Sequence, residues 1–130
     1  MGYFVAFIVF IVGIFVAMGF MASRAKNGLI ISLHNKPYES VVETVEKSFI
    51  RLFWDDVPGM GLINKRRRVN YQGVAVGPVI SVKIHEIGDH EIQVETFMSE
   101  WTSALFGLVV HGVNLAFFQN KKIIKRVSQL

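Results

Sequence analysis

Apolar residues open the chain in one uninterrupted run. From Tyr3 to Ala22 no residue is charged, Asn, Gln or Pro, and twelve of the twenty are Phe, Ile or Val. At 1.5 Å per residue, a helix of that length reaches about 30 Å, the depth of a bilayer's hydrocarbon core. Each of those twelve contributes roughly −0.3 to −0.6 kcal/mol at mid-membrane, so insertion is favoured by about −4 to −7 kcal/mol. A secretory signal would carry a basic segment ahead of a shorter apolar stretch. Here no basic side chain precedes the run, and the passable cleavage triplet Ala17-Met18-Gly19 lies inside it. Residues 1–23 are therefore expected to form a retained transmembrane anchor. Gly13 and Ala17 make one small-xxx-small pair on it, a weak helix-packing signal.

The pattern then changes period. Residues 24–36 form a basic juxtamembrane segment running into a strand, where Leu29, Ile31 and Leu33 alternate with Ile30, Ser32 and His34. From Pro37 the period lengthens again: positions 38, 41, 42, 45, 49, 52 and 53 trace one helical face. Glu39, Glu43, Glu46 and Lys47 take the other face. The turn residues of "DDVPGMG" end that helix.

Three strands are expected next, at 69–76, 79–86 and about 90–98, the last two joined as a hairpin. A three-residue loop, Ile87-Gly88-Asp89, pairs Ile84 with Ile92 and Val82 with Val94, with Gly88 or Asp89 left-handed. The outer face then carries Ser81, Lys83, His85, Glu91, Gln93 and Glu95, which reads as solvated.

A second apolar block, "ALFGLVVHGVNLAFF" at 104–118, is too short for a comfortable span. Its less apolar positions, Ser103, Gly107, His111 and Asn114, continue to Lys121 and Lys125 in steps that hold one helical stripe. A helix over roughly 100–127, clasped against the sheet, is the expectation. The predicted whole is α+β: a single transmembrane helix, then a small two-layer domain at 37–130 ordered strand, helix, three antiparallel strands and a long C-terminal helix.

Charge adds orientation. The formal net charge is +4, gathered at Arg24, Lys26 and Lys36, at Lys65-Arg66-Arg67-Arg68, and at Lys121, Lys122, Lys125 and Arg126. Basic residues follow the anchor and none precedes it. The positive-inside rule therefore predicts an outside N-terminus and a cytoplasmic domain in a plasma or inner membrane. Cytoplasmic leaflets are anionic, and each nearby Lys or Arg adds about 1 kcal/mol of attraction. The three clusters are candidate contacts with anionic lipid headgroups or partner subunits. Nucleic acid, the other polyanion, is disfavoured by the tether.

Candidate chemistry is thin. The chain has no cysteine, hence no disulfide or zinc-thiolate set. "HEIGDHEI" begins like HExxH, but Asp89 stands where the second His belongs. The string also falls on a hairpin that aims His85 and His90 to opposite faces. Asp55 and Asp56 are adjacent and so rarely converge. No nucleophile elbow, phosphate loop or dinucleotide fingerprint occurs. No enzyme, metal or cofactor is expected.

The leading expectation is a non-catalytic accessory or scaffolding subunit of a membrane protein complex. Its long 55–68 loop would serve as a docking element. The alternative is a tethered module holding a lipid or other apolar ligand between sheet and C-terminal helix, lined by Phe106, Val109, Val113 and Phe117. The two differ in whether that space is hollow or filled.

Overall fold

The computed structural model describes residues 2–68, 77–101, 103–104, 109–110 and 113–130. Helix α1 (Gly2–Asn27) is long and apolar enough, by length and composition, to cross a membrane. It is followed by β1 (Leu29–His34), α2 (Tyr38–Ser48), β2 (Trp54–Asp56), β3 (Ile63–Arg67), β4 (Val79–Gly88) and β5 (Glu91–Glu100). Two short strands, β6 (Ser103–Ala104) and β7 (Val109–Val110), precede α3 (Val113–Ser128). The main sheet is antiparallel, in the order β1-β5-β4-β3-β2, and β6 pairs with β7 apart from it. The α+β architecture expected from the sequence, an anchor-length helix followed by an antiparallel sheet with helices, is present.

Alternation selects the core face. Ile31 and Leu33 of β1, Ile92, Val94 and Met98 of β5, Ile80, Val82 and Ile84 of β4, and Ile63 of β3 lie side by side across the registers. Val41 and Val45 of α2 close over them, as do Ala116, Ile123 and Val127 of α3. Each such aliphatic side chain, once removed from water, contributes about 1.5–3 kcal/mol. The helices thus share one face of the sheet.

α2 begins where predicted. Pro37 is its N-cap (φ −65°), and its carbonyl accepts from Val41 N–H at 3.2 Å. The helix stops at Ser48, earlier than the apolar period suggests. Phe49 turns out of the helix and inserts edge-on against Trp54, ring centroids 5.2 Å apart.

Three expectations are corrected. The β4–β5 hairpin closes with a two-residue turn at Asp89-His90, and His90 takes the positive φ of 67°. An irregularity between Glu86 and Gly88 absorbs the extra residue, so Ile84 meets Val94 and Val82 meets Thr96. The shift of two residues keeps every side chain on its predicted face. The outer face is only partly solvated: Ser81 is buried there, bonded to Asn64 Oδ1 at 2.7 Å and Ser99 Oγ at 2.6 Å, beside buried Phe97. Residues 54–67, expected as helix end and loop, contain strands β2 and β3.

The C-terminal helix also starts later than predicted. Glu100, Ser103–Ala104 and Val109–Val110 are strand, and α3 begins only at Val113. The strand expected at 69–76 lies outside the described residues.

Candidate membrane-facing surface

α1 does not end in a linker. Its last turn enters the domain core through Met21, Ala22 and Ala25 and packs on α3 and β5. Gly28 caps it with φ 75°, a conformation L side chains adopt at a cost, and its N–H bonds the Arg24 carbonyl at 2.8 Å. Asn120 of α3 fastens the joint. Its Nδ2 donates to the Ala25 carbonyl at 3.3 Å, and its Oδ1 accepts from Thr96 Oγ1 at 2.8 Å. α1, α3 and β5 are bonded through one buried amide.

The registers place particular residues at the end of the sheet that α1 enters. Leu29 faces Thr96, Glu100 faces Val79, Val79 faces Arg66, and Arg67 faces Trp54. Lys26, Arg66, Arg67 and Trp101 therefore gather at the anchor end. The Asp89-His90 turn marks the opposite end. A ten-residue strand spans about 33 Å, so only one end of the domain lies close to the anchor's base.

Of the first basic cluster, Arg24 sits over the Phe20 ring at 5.8 Å and Lys26 over Trp101 at 4.3 Å. Both occupy the last turn of α1, where the helix dipole favours cations. Arg24 also meets Lys121 of the third cluster, around a void of only about 20 Å³ shared with Leu29, Phe117 and Asn120. Lys121 lies over Phe117 at 4.5 Å.

The second cluster differs from the solvated loop expected. Lys65 points into the core face, 8 % exposed, held by Glu46 Oε2 at 2.8 Å and by Asp56. Burial alone would pull its pKa down, but the hydrogen bonds and charges of Asp56 and Glu46 together outweigh it and hold the ammonium above its usual value. Arg66 pairs with Glu100 at 2.6 Å and Arg68 with Asp55 at 2.6 Å. Arg68's hydrogen bond holds the Asp55 carboxyl below its usual range. Asp55 and Asp56, adjacent on a strand, serve opposite faces. Arg67 alone of the four stacks on aromatics, 4.4 Å from the Phe53 centroid.

The third cluster divides. Lys122 is half-buried, and its pKa is lowered by burial and by the charge of Arg126. Lys125 and Arg126 are exposed near the C-terminal end of α3, where Arg126 donates to the Lys47 carbonyl at 3.4 Å. The three clusters thus do not merge into one face. Arg24 joins Lys121, and Arg67 joins Lys122 along a groove described below.

Of the residues proposed to line an apolar ligand, Phe106 and the side chains of Val109 and Val113 lie outside the described residues. Phe117 is half-buried, its ring edge-on to Phe118 at 5.4 Å. Between sheet and α3 the interior is occupied by Met98, Val94, Ala116, Ile123 and Val127, all essentially inaccessible. The 20 Å³ void beside Phe117 holds about one water molecule, not a lipid chain.

Among the described residues three hollows escaped the sequence reading, one of them, of about 280 Å³, beside the Asp89-His90 turn. An open polar cleft of about 650 Å³ lies between the end of α2 and β2–β3, around Lys65 and its acids. Lys65 is paired there with Glu46 and Asp56, and Arg68 with Asp55, while Arg51 on its wall has no ion-pair partner among the described residues. A shallower groove of about 220 Å³ runs between Ile50, Phe53 and Arg67 on one side and Leu115, Phe118 and Lys122 on the other. In the sequence, Leu52 and Phe53 are legible only as a continuation of α2's apolar face, and Ile50 falls off that face. The signal for a break was Phe49 to Trp54 itself, five apolar side chains in six positions, too many for one helical stripe.

Among the described residues no group of three His, Asp or Glu is placed to hold a metal. His85 is on β4 opposite Gln93, and His90 is in the turn. Compared with known proteins, the chain matches no family model and no curated sequence.

Proposed function

We propose that the chain is a single-pass membrane protein whose cytoplasmic α+β domain acts without catalysis, as an accessory or scaffolding subunit of a membrane protein complex. The observation that carries this reading is the joint between α1 and the domain. Ala22 and Ala25 belong to the domain core, and Asn120 bonds the helix end to α3 and β5. An anchor built into its domain holds that domain at a set angle and height over the bilayer. This suits a part that positions other subunits better than one that swings on a tether.

Among the described residues the space between sheet and α3 is filled, which supports the same reading over the ligand-binding alternative. Orientation rests on Arg24 and Lys26 flanking the C-terminal end of the anchor, and a plasma or inner membrane suits that asymmetry. Purification from native membranes in mild detergent, through a tag on Leu130, tests the proposal. Stoichiometric partner proteins are expected; a lone protein carrying an apolar molecule would replace scaffold with carrier.

A further inference from the structure

Three of the larger exposed apolar side chains of the domain are consecutive or nearly so in sequence, and two more meet them from α3. Leu52 is 69 % and Phe118 57 % exposed, and Ile50, Phe53 and Leu115 are also open to solvent. Ile50, Phe53, Leu115 and Phe118 border the 220 Å³ groove and form one patch, which exposed Leu52 extends as the chain neighbour of Phe53. Arg67 and Lys122 border the groove, and Arg51, the chain neighbour of Ile50 and Leu52, lines the adjoining polar cleft that Ile50 and Trp54 share. Among the described residues none of these three cations takes part in an ion pair, unlike Lys65, Arg66 and Arg68.

Position identifies what covers the patch. Phe53 leads directly into Trp54, which faces Arg67 at the sheet end that α1 enters. The apolar part of α1 lies clear of the domain, none of its most apolar window being buried. A bilayer around that helix therefore begins on the side of the domain where the patch lies. The Gly28–Asn120 joint keeps the domain from turning the patch away. Apolar side chains ringed by unpaired cations are the composition that beds into a headgroup layer, with chains entering the acyl boundary and cations meeting phosphates.

We propose that this patch docks on the anionic lipid surface surrounding the anchor, with Ile50, Leu52, Phe53 and Phe118 entering the interface and Arg51, Arg67 and Lys122 pairing with lipid phosphates. The inference rests on α1 spanning the membrane. The crowded Lys122 ammonium, depressed by burial and Arg126, gains a counter-charge in that arrangement.

The full chain has no native cysteine, which permits single-site probes. Leu52→Cys, Asp89→Cys and Phe10→Cys, each carrying an environment-sensitive fluorophore, are reconstituted into phosphatidylcholine vesicles with or without phosphatidylglycerol. Lipid-borne quenchers placed at headgroup or acyl depth report position. In phosphatidylglycerol vesicles the Leu52 probe is expected to be quenched from headgroup depth severalfold more than the Asp89 probe, with Phe10 quenched from acyl depth. Arg51→Glu with Lys122→Glu should abolish the Leu52 difference and leave Phe10 unchanged. A Leu52 probe as wet as Asp89, with Phe10 in the acyl region, overturns the docking surface and leaves the patch to a protein partner. Equal Leu52 quenching in both vesicles, untouched by charge reversal, overturns the anionic specificity. A wet Phe10 probe overturns the anchor reading itself.

Discussion

Asn120 donates its side-chain amide to the carbonyl oxygen of Ala25 at 3.3 Å, a bond between residues 95 apart in sequence. The carbonyl belongs to the last turn of α1, where no intrahelical partner is available. The same amide's oxygen satisfies Thr96. Asn120→Leu keeps the volume and strands both groups, at about 1–3 kcal/mol for each buried polar group left unpaired. Thermal unfolding in detergent should show Tm falling by about 4–8 °C for each kcal/mol lost. An unchanged Tm would mean that the anchor and domain are not energetically joined there.

Gly28 gives a second probe of the same joint. A Cβ at this position would overlap the Thr96 carbonyl and come within 2.6 Å of Phe97 Cβ, and its φ of 75° is left-handed. The conformation alone costs a non-glycine residue about 1–2 kcal/mol. Gly28→Ala should therefore lower Tm by more than Asn120→Leu does. Gly13→Ala, in the same helix with open space around it, should leave Tm unchanged. Equal behaviour of the two alanine variants would show a slack junction.

Elements that a single local signal specifies were legible in the sequence. The long apolar N-terminal helix, β1, the start of α2 and the phase of the β4–β5 hairpin each follow from a period or a proline. What stayed hidden depended on partners distant in sequence. Ile63 to Arg67 looks like a charged loop because a strand with Lys65 facing the core makes no sense until Glu46 and Asp56 are beside it. Ser103, Gly107, His111 and Asn114 fit a helical stripe, yet Ser103–Ala104 and Val109–Val110 pair as strands, since four-residue spacing also accommodates a strand's period of two. The basic clusters were visible as charges, whereas their division into paired and unpaired members is a tertiary fact. The groove at Phe53 and Phe118 joins two segments that no local pattern relates.

A filled interior makes a direct prediction about ligands. With Met98, Ile123 and Val127 fully buried and, among the described residues, about 20 Å³ vacant beside Phe117, the purified protein should show no saturable binding of a fluorescent fatty acid. Met98→Ala, which costs about 2–5 kcal/mol where a site cannot collapse, should lower Tm. One-to-one binding to the unmutated chain would restore the carrier reading.

Topology is accessible by the same absence of cysteine. Gly2→Cys and Ser128→Cys in intact cells should respond oppositely to an impermeant maleimide, Gly2 reacting and Ser128 protected until the cells are opened. Reaction of Ser128→Cys from outside would reverse the orientation proposed from Arg24 and Lys26.

Lys65 yields a prediction in which removing either side of one ion cluster has unequal effects. The Lys65 side chain is 10 % exposed, while the Asp56 and Glu46 side chains that hold it are 84 % and 46 % exposed. Lys65→Met leaves two carboxylates that water can still solvate, so the loss should be modest. Glu46→Gln with Asp56→Asn instead leaves a buried charge with weaker partners, and uncompensated burial of that kind costs about 3–5 kcal/mol. The carboxylate double variant should therefore be the less stable of the two in denaturant unfolding. Alkaline titration separates the cause. The partners raise the folded pKa of Lys65 above 10.5, so the stabilisation is complete below about pH 10.5 and declines as the pH rises through the folded value. That alkaline decline should be present in the native chain and reduced in Lys65→Met. If Lys65→Met proved the more damaging change, the attraction between the ammonium and its two carboxylates, which Met cannot supply while keeping the apolar stem, would outweigh the cost of burying the lysine.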